Sequence, residues 1–203
     1  MTAKALKHSP LRFERDGFVL RPARAEDAGD YYEQNFAPLD PEVARLTGSP
    51  ERFERDDVIG FFLRCIEADD RPDLLLISPE GRIVGESVIN KIDWQLRSAN
   101  FRIAIFQAPT RGRGLGAWAV GVTRDLAFEL LGLHRLALDV YSFNPRAEHV
   151  YLSAGFRREG VLRQRLCNKG KYVDVALYAI LRSDPRPGNA LLERNQHDSA
   201  HCL

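Results

Sequence analysis

Short apolar runs and amphipathic stretches alternate along the chain, and turn-forming residues separate most of them. Phe18-Val-Leu-Arg-Pro22 predicts a short strand that stops at proline. Ala25-Glu-Asp-Ala28 opens a helical stretch to about Phe36, with acidic residues in the first turn, where the helix dipole favours them. Beyond it, Pro38, Pro41 and Gly48-Ser-Pro50 punctuate the chain. Phe53, Val58, Phe61, Phe62, Cys65 and Ile66 then share one side of a second helix, from about Arg52 to Ala68. Leu74–Ser78 and Ile83–Ile92 read as strands joined by a hairpin turn at Pro79–Arg82.

The second half repeats the alternation. Ala99–Phe106 is a strand that ends before Pro109, and Leu115, Ala119, Val122, Leu126 and Leu130 recur at helical spacing beyond it. Arg135–Tyr141 reads as a strand and Pro145–Ser153 as a short helix. Phe156–Cys167 and Tyr172–Leu181 read as a hairpin turned at Asn168-Lys-Gly170. Residues 1–17 are taken as an N-terminal extension, 18–182 as one domain and 183–203 as a C-terminal tail with a short helix at Ala190–Arg194.

Composition narrows the class. A chain of 203 residues with 44% hydrophobic and 28% charged residues suits one domain with a full core. No apolar run approaches the ~20 residues that span a bilayer. The first ten residues carry charge without a hydrophobic centre, a poor match to a secretory signal. Cys65, Cys167 and Cys202 are few, odd in number and far apart, which fits reduced thiols in a cytoplasmic protein. No Cys/His pair has metal-ligand spacing, so no metal is expected.

Net charge is +1, but it is unevenly spread. Residues 23–80 hold 15 Asp/Glu against 6 Lys/Arg, and residues 81–182 hold 8 against 16. The basic half suits a polyphosphate ligand. Nucleic acid is a poor candidate, because no Lys/Arg run with interleaved aromatics is present.

The chemistry concentrates between Ser98 and Phe156. Arg111-Gly112-Arg113-Gly114-Leu115-Gly116 places glycines where a strand enters a helix. Glycine admits positive φ and keeps side chains away from an approaching ligand. The first N–H groups of a helix lack intrahelical partners, so a diphosphate can dock there, with Arg111 and Arg113 adding charge at the rim. Such a turn alone also serves pure geometry. It is not a Walker loop, and it comes too late in the chain for a dinucleotide fold. Further along, Asn144 precedes a helix that carries Tyr151 and runs into Gly155-Phe156.

In this order of motifs the chain resembles the GNAT superfamily of N-acetyltransferases. The superfamily pattern Arg/Gln-x-x-Gly-x-Gly/Ala is matched by Arg111, Gly114 and Gly116, and its later elements by Asn144, Tyr151, Gly155 and Phe156. Leu133-His-Arg135 and Gly170-Lys-Tyr-Val-Asp174 point to the branch with spermidine/diamine and ribosomal-protein N-terminal acetyltransferases.

The resemblance implies an α/β (α+β) fold. Its mixed, twisted, mostly antiparallel sheet would have about seven strands, about four flanking helices and a V-shaped splay between the two central strands. Acetyl-CoA would lie in that splay. It would be held by Ile103, Ala104, Ile105 and Phe106, by residues 111–117 (Arg111, Gly112, Arg113, Gly114, Leu115, Gly116, Ala117) and by Asn144.

An amine would attack the thioester directly, with Tyr151 protonating the thiolate and an N–H near Ile105 holding the oxyanion. Glu86 is the preferred base, ahead of Asp93 and Asp139; Cys65 and Cys167 lack a base partner for a covalent route. Glu33, Phe36 and Trp94 are candidates for the amine site. The acceptor stays open between a polyamine-like molecule and a protein N-terminus. A silent acyl-CoA-binding module is the alternative, and exposed hairpin edges leave room for a homodimer.

Overall fold

Asp16 and Gly17 both adopt positive φ, +51° and +78°, the geometry of a tight two-residue hairpin turn. They join strand β1 (Phe13–Arg15) to β2 (Phe18–Pro22). The computed structural model describes residues 1–168 and 170–188. Helix α1 (Ala3–Lys7) precedes β1, so the stretch read as an extension carries a helix and a strand on the same core: Ala3 and Leu6 are wholly buried. Lys7 donates to the carbonyls of Cys65 and Ile66, both at 2.9 Å, and of Ala68.

A single 3-10 turn (Ala25–Asp27) leads into α2 (Ala28–Asn35), followed by α3 (Pro41–Thr47) and α4 (Arg55–Glu67). Helix α3 lies where the prolines suggested punctuation. Pro41 occupies its first turn, where a missing N–H costs nothing, and Asp40 accepts from the N–H groups of Glu42 (2.8 Å) and Val43 (3.2 Å). Strands β3 (Asp73–Ile77), β4 (Ile83–Asp93) and β5 (Ser98–Ile105) come next, then α5 (Leu115–Asp125).

Residues Leu126–Leu130 continue α5 as a wider π turn, closed by the Leu131 N–H on the Leu126 carbonyl at 3.1 Å. This turn brings the consecutive residues Leu126, Ala127 and Phe128 all into the core. Strand β6 (Arg135–Tyr141), helix α6 (Pro145–Ser153) and the hairpin β7 (Arg157–Asn168) and β8 (Lys171–Leu181) complete the described elements. The helix expected at Ala190–Arg194, and Cys202, lie outside the described residues.

These eight strands, against about seven expected, form one sheet in the order β1-β2-β3-β4-β5-β6-β8-β7. All neighbours are antiparallel except β5 and β6. One face packs against α1, α5 and α6 through Phe101, Leu126, Leu136 and Tyr178. The opposite face packs against α2, α3 and α4 through Tyr31, Val43, Phe62 and Phe106. A buried contact between the Ser87 and Thr123 hydroxyls, 2.7 Å, ties β4 to α5.

Candidate active site

Strands β5 and β6 pair over three positions, Ser98–Arg135, Ala99–Leu136 and Asn100–Ala137, and then part. Beyond Asn100 the side of β5 that faces β6 has no strand partner. On its other side β5 stays in register with β4 as far as Ile105, and Phe106 N–H donates to Val84 O at 2.9 Å. Strand alternation therefore turns the N–H groups of Ile103 and Ile105 into the gap. Next to it β4 bulges: Leu76 pairs with Gly85 but Ile77 with Ile83, leaving Val84 extra. The bulge puts Glu86 on the α2 side of the sheet. Gly85 is required here, because a Cβ would sit 2.7 Å from the Ala104 carbonyl oxygen.

The gap widens into a cavity of about 800 Å³. At one end is the start of α5. Gly112 and Gly114 have φ of +77° and +75°, and no side chain caps the helix, so its first amides face the cavity alongside Leu115, Gly116 and Ala117. Arg111 belongs to this turn, but its guanidinium is spent internally. It bonds Ile105 O (3.2 Å), Phe106 O (2.9 Å), Glu42 (2.8 Å) and Asp40 (3.0 Å). Arg111 thus straps the turn to β5 and α3. Arg113 points elsewhere and covers the Phe18 ring at 5.0 Å. The charge expected from these two arginines at the rim is therefore replaced by backbone amides.

Helix α6 forms the far wall. Asn144 caps it by accepting from Ala147 N–H at 3.2 Å, and both Asn144 and Tyr151 line the cavity. Tyr151 is 6% exposed, with Phe156 and Phe101 packed against its ring at centroid distances of 5.9 and 6.2 Å. Burial, and then the charge of Asp139, raise its phenol above the ordinary tyrosine value. Among the described residues its hydroxyl has no hydrogen-bond partner, which leaves it available to a ligand.

Glu86 is also 6% exposed and lines the cavity. It accepts from Tyr31 Oη at 2.7 Å and pairs with Arg102. Burial and the Glu86 charge push Tyr31 well up, and the same carboxylate raises Arg102. Neither Tyr31 nor Arg102 was expected from the sequence. The strand register signals Arg102, since Ala104 sits opposite Glu86 and Arg102 is two residues along on the same face.

Phe36, Ile103, Ala104, Ile105 and Phe106 line the cavity, and Asp139 joins them. Glu33 and Trp94 do not. Glu33 pairs with Arg55 at 3.1 Å on an exposed surface, and Trp94 is 44% exposed in the β4–β5 turn. Asp93 is taken up by that turn, accepting from the N–H groups of Gln95 and Leu96. Cys65 lies on the buried face of α4, and burial pushes its thiol up. Among the described residues no cluster of His, Cys, Asp or Glu could hold a metal ion, and no helix is long and apolar enough to cross a membrane.

The trough joins uncapped helix amides, an open strand edge and a buried phenol, features that suit an extended ligand with a phosphate end. That is the architecture of a group transferase served by a long carrier molecule. The chain belongs to the GNAT acetyltransferase family, whose domain model matches residues 18–157.

Among its relatives, the spermidine N(1)-acetyltransferase of Vibrio cholerae is 35% identical over 102 residues, which span 50% of this chain and 58% of that protein. A probable N-acetyltransferase of Bacillus subtilis, YjcK, is 28% identical over 158 residues, 77% of each chain. Spermidine N-acetyltransferase from Vibrio cholerae, solved with CoA and spermine, has the same fold, with a TM-score of 0.75 at 22% identity over 87% of this chain and 99% of that one. Ribosomal-protein-S5-alanine acetyltransferase from Vibrio fischeri gives 0.74 at 21%, over 87% and 100%.

Proposed function

We propose that the chain transfers an acetyl group from acetyl-CoA directly to a primary amine. The observation that carries this reading is the open β5 edge, which runs from an uncapped helix start to an unpartnered buried phenol. The diphosphate of CoA rests on the first amides of α5, with Asn144 at the side. Its pantetheine amides pair with Ile103 and Ile105 in place of the missing strand.

The neutral amine attacks the thioester carbon, and the N–C bond forms through a tetrahedral intermediate whose oxyanion accepts from a further backbone N–H on the open edge of β5. The C–S bond then breaks, the thiolate takes a proton from Tyr151, and the phenolate regains one that the new amide nitrogen sheds. Burial raises the phenol, so it holds its proton until the thiolate is released beside it. Glu86 receives the proton that the ammonium must lose, through water. Held by Arg102 and Tyr31, it is a fixed anion that also draws the ammonium toward the thioester. The reaction needs no metal.

The chain is read as a cytoplasmic protein. The exposed Val161, Leu162 and Tyr172 on the β7–β8 hairpin favour self-association as a homodimer.

Release of free CoA thiol from acetyl-CoA, measured with a panel of primary amines, tests the proposal. Amine-dependent release supports it. Tight CoA binding by calorimetry with no turnover on any amine would instead mark a silent acyl-CoA-binding module.

A further inference from the structure

The cavity has a second region that CoA does not need. Past Glu86, on the α2–α4 side of the sheet, its wall is Tyr31, Phe36, Phe53, Val58, Phe61 and Phe106. The rings are packed on one another: Tyr31 lies 5.0 Å from Phe36, and Phe36 meets Phe53 and Phe106 edge-on at 5.3 and 5.6 Å. The faces of Tyr31, Phe36 and Phe106 are therefore largely engaged with each other, and the Phe61 ring already carries the Arg71 guanidinium at 5.2 Å, so no open aromatic cage is left for a further cation.

Carboxylates are scarce along the same lining. Those present are Asp57, Glu86 and Asp139. Asp139 lies on β6, beside Tyr151. Asp57, in the first turn of α4, is left as the acid of the aromatic region.

A chain carrying several ammonium groups would have to strip water from each one against rings that return no hydrogen bond. A single ammonium at Glu86 with an apolar body behind it would meet a matching surface throughout.

Resting on the acetyltransferase reading above, we propose that the acceptor is a monoamine borne on an apolar, preferably aromatic, body. Two sources share that chemistry, a free arylalkylamine and a peptide whose N-terminal residue is apolar. The nitrogen sits at Glu86, and the body lies between α2 and α4 against Phe36 and Phe61. Phe61 is 44% exposed, so it is wall more than core.

The test compares kcat/KM of the full chain with acetyl-CoA for phenethylamine, a peptide starting with phenylalanine, and spermidine. At least one apolar amine is expected to exceed spermidine by at least about tenfold, the discrimination an apolar pocket commonly supplies. The ratio between the two apolar arms identifies the source. Phe61→Ala should narrow that preference, mainly through KM for the apolar amine, with CoA affinity by calorimetry retained as the sign of an intact fold. Spermidine acetylated as well as or better than both apolar amines overturns the inference and leaves the acetyltransferase reading standing. An unchanged preference in a CoA-binding Phe61→Ala protein also overturns it, since the wall would then not be setting the choice. CoA binding without acetylation of any of the three, or of a wider amine panel, removes both.

Discussion

Tyr151 is the proton donor of the proposed reaction, and its surroundings suit that role. Its ring is fixed between Phe101 and Phe156, and its hydroxyl is left to the cavity. Tyr151→Phe keeps the packing and removes the proton. The expected result is a kcat lower by about a hundredfold or more, with CoA affinity by calorimetry little changed. The pH dependence comes from the sign of the shift. Tyr151 and Tyr31 are both raised in the folded chain, mainly by burial, whereas unfolded tyrosines ionise near pH ~10. Above that pH the native state binds more protons than the unfolded one, so stability present below pH ~10 is lost as pH rises further. Urea midpoints should fall as pH rises above ~10, and less steeply in Tyr151→Phe.

The bulge and the glycine turn carry the site at the scale of elements. Gly85→Ala would drive a methyl group into the Ala104 carbonyl, forcing β4 and β5 apart at an expected cost of about 1–3 kcal/mol, read from the urea midpoint. Arg111→Ala should cost a similar ~1–3 kcal/mol and raise KM for acetyl-CoA, because the turn loses its strap to β5 and α3. Arg111→Lys should not rescue it, since a single ammonium cannot reach four acceptors.

The limit of sequence reading is visible in these elements. Local periodicity predicts β2, β6 and α6 to the residue, because each is bounded by its own proline, glycine or charge pattern. Two misses were also local. Asp16-Gly17 marks the first hairpin, and Asp40-Pro41 with Gly48 marks both ends of α3. The partners of Arg111 are another matter: Glu42 is 69 positions away, and no spacing encodes that contact. Glu33 and Trp94 were proposed by residue type alone, and the direction in which α2 and the β4–β5 turn face took them elsewhere.

At the scale of the whole molecule, charge and chain ends bear on the cleft. The basic character of residues 81–182 should make CoA binding salt-sensitive, with Kd rising several-fold from about 50 to about 500 mM NaCl as the phosphates are screened. Arg124, buried beside Asp125 at 2.8 Å, donates to Ala154 O just behind α6 and reaches Pro187 O and Gly188 O. Arg124→Ala should lower stability by about 3–5 kcal/mol, the usual result of removing one member of a buried ion pair.

The seam between β5 and β6 has a further consequence. Three paired positions are all the backbone ladder that joins the two parts of the sheet at its middle, so the edge of β5 beyond them is held from one side only. A cosubstrate bound as proposed would act as the absent rung of a ladder there. Hydrogen exchange at the amides of Ile103 and Ile105 should be rapid in the empty protein and slow sharply on loading, while the outer hairpin stays as it was.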